Sequence, residues 1–205
     1  METQFGIVRP WQAGAAEDNL AVQVIVEVQA PATLEDAPLQ ETLSAVLAAP
    51  VVRRVLALGG ADGDWLPTGF DLIGQRGGGY GERMAAALAD AYATAALPML
   101  LVRTDALDVT PDMLADAGRS LVSGEADAAF GAASGGGFWL LGLRRPDRSL
   151  VVGLPAPHEG RVGRQLLDRL ASAGLRVALA PRLETAGTQA LRPLTVGRRL
   201  RRPGR

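Results

Sequence analysis

Residues 22–28 read VQVIVEV, a nearly uninterrupted run of β-branched residues that is typical of a strand buried on both faces. A second apolar run, MLLV, occupies residues 99–102. The segment before it, ERMAAALADAYATAAL, is rich in Ala and Leu, which favour helix, and it is stopped by Pro98. Doubly buried strands separated by helices predict a single α/β domain around a mostly parallel sheet.

The remaining segments continue this alternation. Thr110 and Pro111 predict a helix start, because a hydroxyl at the N-cap and a proline at the first helical position both suit a helix N-terminus. The domain is expected to span residues 21–194, after an N-terminal arm at 1–20. We predict further helices at 35–49 and 161–173, strands at 53–58, 126–132, 138–143 and 175–180, and short strands at 70–73 and 150–152.

The composition excludes several chemistries. The chain has 205 residues, no cysteine and one histidine, His158, and all 21 of its basic residues are arginine. The lack of cysteine excludes disulfides, thiol nucleophiles and Cys-ligated metals. The lack of lysine excludes a Walker A loop and Schiff-base chemistry, and a single histidine cannot form a multi-His metal site. The groups that remain suit metal-assisted or purely electrostatic handling of phosphate.

Charge is distributed unevenly along the chain. Residues 195–205 carry five arginines and no acid, whereas the rest has 16 arginines against 22 acidic residues. We interpret residues 195–205 as a disordered tail, with contact to nucleic acid, an anionic membrane or an acidic partner as the alternatives. The sequence has neither a signal-peptide pattern nor a run of about 20 apolar residues that could span a bilayer. We therefore expect a cytoplasmic protein without a membrane span.

Residues 75–84, QRGGGYGERM, contain a run of glycines and lead directly into the predicted helix. Glycines allow backbone amides to approach an anion, the helix N-terminus attracts negative charge, and Arg76 and Arg83 are suited to bidentate phosphate contacts. The alternative is a flexible loop before an ordinary helix start. The candidate nucleotide-binding residues of this loop are Gln75, Gly77, Gly78 and Gly79.

Two acids follow the apolar run at 99–102, in the stretch RTDALDVTP. Ligands of open α/β sheets bind beyond the carboxyl ends of the strands, and an acid placed there can hold a divalent cation against a diphosphate. Asp105 is the better placed candidate and Asp108 the second, both as catalytic groups. In the alternative interpretation Asp108 or Thr110 caps the next helix and Asp105 stabilises the turn.

A third glycine-rich segment, SGGGFWLLGL, spans residues 134–143. Glycine at such a position, Gly136 among them, lets a ligand or another backbone come close. We interpret Phe138 and Trp139 as core residues rather than as a stacking platform. His158 lies in a Pro/Gly-rich stretch, and we interpret it as a surface residue rather than a general base.

Together these segments resemble a bacterial GT-A-type glycosyltransferase-like family, that of the arsenosugar-biosynthesis or selenodomain-associated transferases. The family shows GTDCPDLTP, QRGGDLGERM, GGYWLLGLRRP and RLRALGLRV, and this chain has RTDALDVTP, QRGGGYGERM, GGGFWLLGLRRP and RLASAGLRV. The matches run in the same order from about residue 70 to residue 191.

The resemblance implies a Rossmann-like, three-layer fold of the nucleotide-diphospho-sugar transferase type. It further implies a nucleoside diphosphate sugar or nucleotide as the bound partner, and Mg²⁺ or Mn²⁺ as the cofactor. Asp105 matches the metal-binding acid, and Glu82 and Arg83, which match the glutamate and arginine of GERM, are further candidate nucleotide-binding residues together with Gly136. Nucleic acid is not an expected partner, and homo-oligomerisation remains open.

Several family features differ in this chain. The family's basic loop KxPxxGxxKTRL, which follows the first strand and grips the nucleotide, corresponds to a stretch with Glu35, Asp36 and Glu41 and no basic residue. The acid before GGYW corresponds to Gly135, and the second acid of a late DVDT motif corresponds to Gly187. Two hypotheses follow: a metal-dependent glycosyl- or nucleotidyl-transferase, or a catalytically degenerate relative that acts as a binding or assembly partner.

Overall fold

β1 (Leu20–Gln29) is the strand predicted from VQVIVEV, and it lies third in a seven-stranded sheet formed by the described residues. The structure, a computed structural model, describes residues 19–29, 37–59, 67–156 and 160–186. His158, Gly187, the tail at 195–205 and nearly all of the expected arm at 1–20 lie outside these residues. The other elements are α1 (Ala37–Ala48), β2 (Val51–Gly59), β3 (Asp71–Gly74), α2 (Tyr80–Thr94), β4 (Met99–Arg103), α3 (Pro111–Val122), β5 (Ala128–Ala133), β6 (Phe138–Leu143), α4 (Arg148–Val151), α5 (Val162–Ser172) and β7 (Val177–Leu183).

The strands are arranged in the order β3-β2-β1-β4-β6-β5-β7. Every neighbouring pair is parallel except those of β6, which runs antiparallel to both β4 and β5. In register, Val26 of β1 lies beside Leu56 of β2 on one side and Val102 of β4 on the other. The prediction of a mostly parallel sheet is confirmed.

Both faces of the sheet are covered by helices. Val24 and Val26 of β1 pack on the side that is covered by α1 and α3. Ile25, which points the other way because side chains alternate along a strand, packs on the side covered by α2, α4 and α5. The fold is therefore a three-layer α/β sandwich, and this explains why the strands are apolar on both faces.

Local signals predicted some elements well. Thr110 caps α3, its Oγ1 accepting a hydrogen bond from the Met113 amide at 3.3 Å, and Pro111 occupies the first helical turn. The predicted strands at 53–58, 70–73, 126–132, 138–143 and 175–180 are all present, with bounds that differ by a few residues. None of the helices in the described part of the chain has the length and apolar content needed to cross a bilayer.

The prediction of a strand at residues 150–152 is wrong, because this segment forms α4 and a following turn. Asp147 caps α4, its Oδ1 accepting a hydrogen bond from the Ser149 amide at 2.8 Å. The helix packs closely on α2: a Cβ on Gly81 would lie 2.1 Å from the Val151 carbonyl oxygen. A short apolar run has no decisive periodicity, so the cap and this tertiary contact determine its conformation.

Candidate functional site

The strand order identifies one crevice in the sheet. From β1 the chain continues to β2 and β3 on one side, whereas β4 lies on the other side of β1. The carboxyl ends of β1 and β4 therefore flank the point where the strand order reverses, and open α/β sheets bind their ligands at such a point. Glu27 of β1 and Arg103 of β4 are register partners there.

Glu27 is a buried carboxylate within the apolar strand β1, and its side chain is only 7% exposed. It lies two residues after Ile25 and so shares the face covered by α2. Its Oε1 has no hydrogen-bond partner among the described residues. Burial raises the pKa of Glu27 to about 7, although the positive charges of Arg103 and Arg83 oppose this rise.

Arg103 ends β4 and has a side chain that is 13% exposed. Its Nε donates to Oδ1 of Asp105 at 2.9 Å, and its Nη2 donates to Oδ2 of the same carboxylate. The guanidinium lies 5.9 Å from the ring centroid of Phe138. Its third nitrogen, Nη1, is buried and makes no hydrogen bond of good geometry within the described part of the chain.

The first turn of α2 adds two further polar side chains. The hydroxyl of Tyr80 and the Nε of Arg83 are both buried and lack a well-aligned partner in the residues that the structure describes. Burial, and next the negative charge of Glu27, raise the pKa of Tyr80 well above its usual value. We name the group formed by Glu27, Tyr80, Arg83, Arg103 and Asp105 the switch-point cluster.

Asp105, the predicted metal ligand, is bound by arginine. Both of its carboxylate oxygens accept hydrogen bonds from Arg103, and its backbone oxygen accepts one from the Ala186 amide at 2.9 Å. A cation at this carboxylate would lie beside a guanidinium and be repelled by it. Within the described ranges no group of three or more His, Cys, Asp or Glu side chains could hold a metal ion. These residues do not fit a divalent cation.

Asp108, the second predicted catalytic acid, is exposed and has a φ of 62°. A non-glycine residue in the left-handed region is uncommon, although aspartate is among those that tolerate it best. Thr110 rather than Asp108 caps α3, so the capping interpretation holds for the threonine alone. Asp108 is therefore an exposed carboxylate near the carboxyl end of β4 that makes no side-chain hydrogen bond or ion pair with the described residues.

The loop at residues 75–79 is held against β2, because the backbone N–H of Gln75 donates to the Leu58 carbonyl at 2.7 Å. Gly77 has a φ of 125°. The carboxylate of Glu82 folds back over the loop: a Cβ on Gly79 would lie 2.3 Å from Glu82 Oε2. The predicted anion cradle is thus lined by one of the chain's own carboxylates. Arg76, predicted to contact phosphate, pairs with Asp90 at 2.5 Å.

The glycines at residues 135–137 serve the approach of two backbones. A Cβ on Gly136 would lie 1.9 Å from the Gly160 carbonyl oxygen, and one on Gly163 would lie 2.3 Å from the Gly137 carbonyl oxygen. Of the two alternatives, a close ligand or a close backbone, the described residues supply the backbone. Phe138 and Trp139 are fully buried, which confirms that they belong to the core.

A groove of about 760 Å³ lies at the opposite, amino edge of the sheet. Its lining includes Pro98 before β4, Asp127 before β5, and Arg144 and Arg145 after β6. The groove is separate from the switch-point cluster, since these residues stand at the other ends of the strands.

Sequence reasoning did not single out Glu27, Tyr80 or Arg103 as site residues. The available signal for Glu27 was a charged residue within an otherwise apolar strand. Arg103 stands where the resembled family has the glycine of GTDCPDLTP. Neither signal shows that the two residues share a site until β1 and β4 are known to be neighbouring strands.

The sheet order and the crevice define an α/β fold of the nucleotide-diphospho-sugar transferase type. A protein provisionally named nucleotide-diphospho-sugar transferase, from Desulfovibrio desulfuricans G20, has the same fold with a TM-score of 0.69 and 20% identity, over 81% of this chain and 82% of that one. Glucosyl-3-phosphoglycerate synthase from Mycobacterium tuberculosis, in complex with Mn²⁺, UDP-glucose and glycerol 3-phosphate, gives a TM-score of 0.58 and 15% identity, over 88% of this chain and 79% of that one.

The chain belongs to the family described as "Uncharacterized protein conserved in bacteria (DUF2064)", whose profile matches residues 39–155. This range includes the loop at 75–79, the switch-point residues of α2 and β4, and the strand β6. No match was found among curated proteins.

Proposed function

We propose that this protein is a transferase that binds a nucleoside diphosphate sugar or a nucleotide at the carboxyl edge of its sheet. The observation that carries the proposal is that Arg103 lies at the reversal of strand order and that Arg83 of α2 is near enough to act on the same Glu27 carboxyl group. Support also comes from the fold, which is that of nucleotide-diphospho-sugar transferases. Guanidinium groups bind diphosphate oxygens through charge-assisted, often bidentate, hydrogen bonds.

The chemistry we propose is the transfer of a sugar to an acceptor hydroxyl. The bond between the anomeric carbon and the diphosphate oxygen breaks, and the diphosphate leaves with the electron pair. The acceptor oxygen forms the new bond to that carbon and loses its proton. Asp108 is the exposed carboxylate of this edge that we expect to take the proton. The arginines stabilise the charge that develops on the leaving diphosphate.

A second candidate function is a catalytically degenerate relative that acts as a binding or assembly partner. The specific observation in its favour is the carboxylate of Glu82, which lies against the Gly79 backbone where a phosphate would otherwise approach the α2 N-terminus. Asp105 is also engaged by Arg103. Glu35, Asp36 and Glu41 add negative charge to the sequence that follows β1.

Ligand-dependent thermal stability tests the proposal. UDP-, GDP- and dTDP-sugars, together with CTP and GTP, are added singly at millimolar concentration, in EDTA and in Mn²⁺. A ligand at 100 times its dissociation constant stabilises the folded state by about 2.7 kcal/mol, which is a readily measured shift. Any donor that shifts the protein is then tested by phosphorus NMR for release of the nucleoside diphosphate in the presence of candidate acceptors.

Matched variants assign the effect to this edge. Arg83→Gln removes a guanidinium of the switch-point cluster, whereas Arg164→Gln removes one from the exposed Arg164–Asp168 pair of α5. We expect the first variant to reduce the shift and the second to leave it unchanged. Binding without turnover would favour the degenerate relative, and no shift with any nucleotide would exclude the transferase.

A further inference from the structure

We propose that Arg103 provides, at the reversal of strand order, the positive charge that a divalent cation would otherwise provide to a diphosphate, so that this chain binds nucleoside diphosphates without a metal ion. The inference deepens the proposed function and rests on it. It arises from a disagreement between the resemblance, which implies Mg²⁺ or Mn²⁺ at Asp105, and the residues that surround this carboxylate.

The positive charge of Arg103 lies at Asp105, the carboxylate that would bind a metal ion. A metal-binding acid at the end of β4 would hold its cation over the carboxyl edge of the sheet. In this chain the Arg103 guanidinium donates hydrogen bonds to both oxygens of Asp105, through Nε and Nη2. One carboxylate and one guanidinium form a compact, bidentate pair, so a cation bound at Asp105 would lie beside a fixed positive charge.

One nitrogen of the Arg103 guanidinium, Nη1, is left over after the two hydrogen bonds to Asp105. Nη1 of Arg103 is not used by Asp105 and has no well-aligned acceptor in the described part of the chain; the Tyr80 hydroxyl lies beside this guanidinium without an aligned hydrogen bond to Nη1. Nη1 lies with the equally unpartnered Nε of Arg83 near Glu27. Because buried donors without acceptors are costly, this pair of guanidinium nitrogens is poised for an anionic oxygen. Rotations of neighbouring side chains are common on ligand binding, and they would expose Nη1 while Arg103 itself stays in place.

The Arg103 guanidinium is held in place before any ligand binds. Arg103 is fixed from three sides, by Asp105, by the ring of Phe138 and by the charge of Glu27. An arginine held in this way has lost its rotational freedom before a ligand arrives, so less entropy is lost on binding. A conformationally fixed positive charge is also what the leaving diphosphate requires.

Titration calorimetry tests the inference with UDP, GDP, CDP and dTDP in turn, each in EDTA and in Mn²⁺. Wild-type protein is expected to bind one of them with the same affinity, within about threefold, in both buffers. Arg103→Met is expected to weaken this binding about tenfold to a hundredfold, the range of a lost charge-assisted hydrogen bond. Arg53→Met is the matched control, since Arg53 is also 13% exposed and paired with an aspartate, but lies at the amino edge.

Asp105→Asn gives an independent comparison, because it keeps the Arg103 guanidinium and removes only the negative charge of Asp105. If Arg103 is the anion-binding group, this variant binds with the same affinity in EDTA and in Mn²⁺, because no part of the binding depends on a cation at residue 105. If Asp105 holds a cation, the same variant loses the part of the affinity that depends on Mn²⁺. This variant decides the question even if Arg103→Met does not fold.

The possible outcomes are distinct. Nucleotide binding that appears only with Mn²⁺ and is lost in Asp105→Asn would overturn the inference and leave the proposed function standing. Metal-independent binding that survives Arg103→Met would overturn the role of Arg103 alone. If no nucleoside diphosphate binds in either buffer, the proposed function fails and the inference fails with it.

Discussion

Two buried polar side chains lie on the same face of β1, at its two ends. Gln23 is near the amino end and meets Arg53 of β2, which pairs with Asp71. Glu27 is near the carboxyl end and lies opposite Arg103 of β4, which pairs with Asp105. The two sets have the same composition in outline: a polar residue of β1, an arginine that is 13% exposed, and an aspartate.

The sets differ in whether their hydrogen bonds are complete. Gln23 Oε1 accepts from Arg53 Nη1 at 2.7 Å, and Gln23 Nε2 donates to the Ala95 carbonyl at 3.0 Å. Arg53 Nη1 also donates to the Ala91 carbonyl at 3.0 Å. At the other end, Glu27 Oε1 and Arg103 Nη1 have no such partners among the described residues. The amino set is a complete hydrogen-bond network, whereas the carboxyl set has an acceptor and a donor without aligned partners among the described residues, which is the basis of the proposed binding site.

The largest expected effect comes from breaking the complete network. Arg53→Met should lower the free energy of unfolding by about 3–4 kcal/mol, because it removes a buried charge-assisted hydrogen bond and leaves Gln23 Oε1 without its donor. Urea unfolding measures this loss. Nucleotide affinity should remain unchanged, and a loss below about 1 kcal/mol would contradict the structural role.

The next largest expected effect is a pH dependence of the free energy of unfolding, which arises from Glu27 in the carboxyl set. The pKa of Glu27 is raised from 4.5 to about 7 on folding, so between these values the folded state keeps a proton that the unfolded state has lost. The free energy of unfolding should therefore fall as pH rises through this window, by about 3 kcal/mol in total. Urea titrations at a series of pH values measure it. Glu27→Gln should remove this slope and make the protein more stable than wild type at pH about 8.

The opposite pH dependence is expected at the amino edge. Asp127, before β5, accepts hydrogen bonds from Arg176 Nε at 2.8 Å and Nη2 at 2.9 Å, and these lower the pKa of Asp127 to about 2. Stability from this pair is present above the ordinary aspartate pKa and is lost as pH falls toward 2. Because the pair is largely solvated, we expect a loss below about 1 kcal/mol. Asp127→Asn should abolish it, as acid unfolding curves can show.

The smallest expected effect on stability comes from the glycine loop. Glu82→Gln removes the negative charge from the first turn of α2 and should cost about 0.5 kcal/mol, since acids at a helix N-terminus are stabilising. The same change removes a charge that competes with a phosphate at Gly79, so affinity for a nucleoside diphosphate should rise. Calorimetry decides this, and unchanged or weaker binding would show that phosphate does not approach the loop.

Particular residues show how much of this could be predicted from sequence. The cap at Thr110, the strand from VQVIVEV and the burial of Trp139 all follow from local chemistry, and the structure confirms them. The glycines at 77–79 and 135–137 were predicted to allow close approach, and the structure shows a close neighbour at Gly77, Gly79 and Gly136 but no described atom near Gly78; anion binding at these glycines stays a prediction. What approaches them in the described structure is the Glu82 side chain and the backbone at Gly160 and Gly163, just before and within the first turn of α5, and no local pattern indicates that.

The sequence by itself determined the alternation of strands and helices, because burial on both faces and helix caps are encoded in neighbouring residues. It also determined the chemistry available: arginine, carboxylate and backbone, without lysine or cysteine. Only the tertiary structure decided that β4 lies beside β1, which brings Arg103 opposite Glu27 across 76 positions of chain. Strand order depends on the packing of whole layers, so the partner of a buried charge is known only when the sheet is complete.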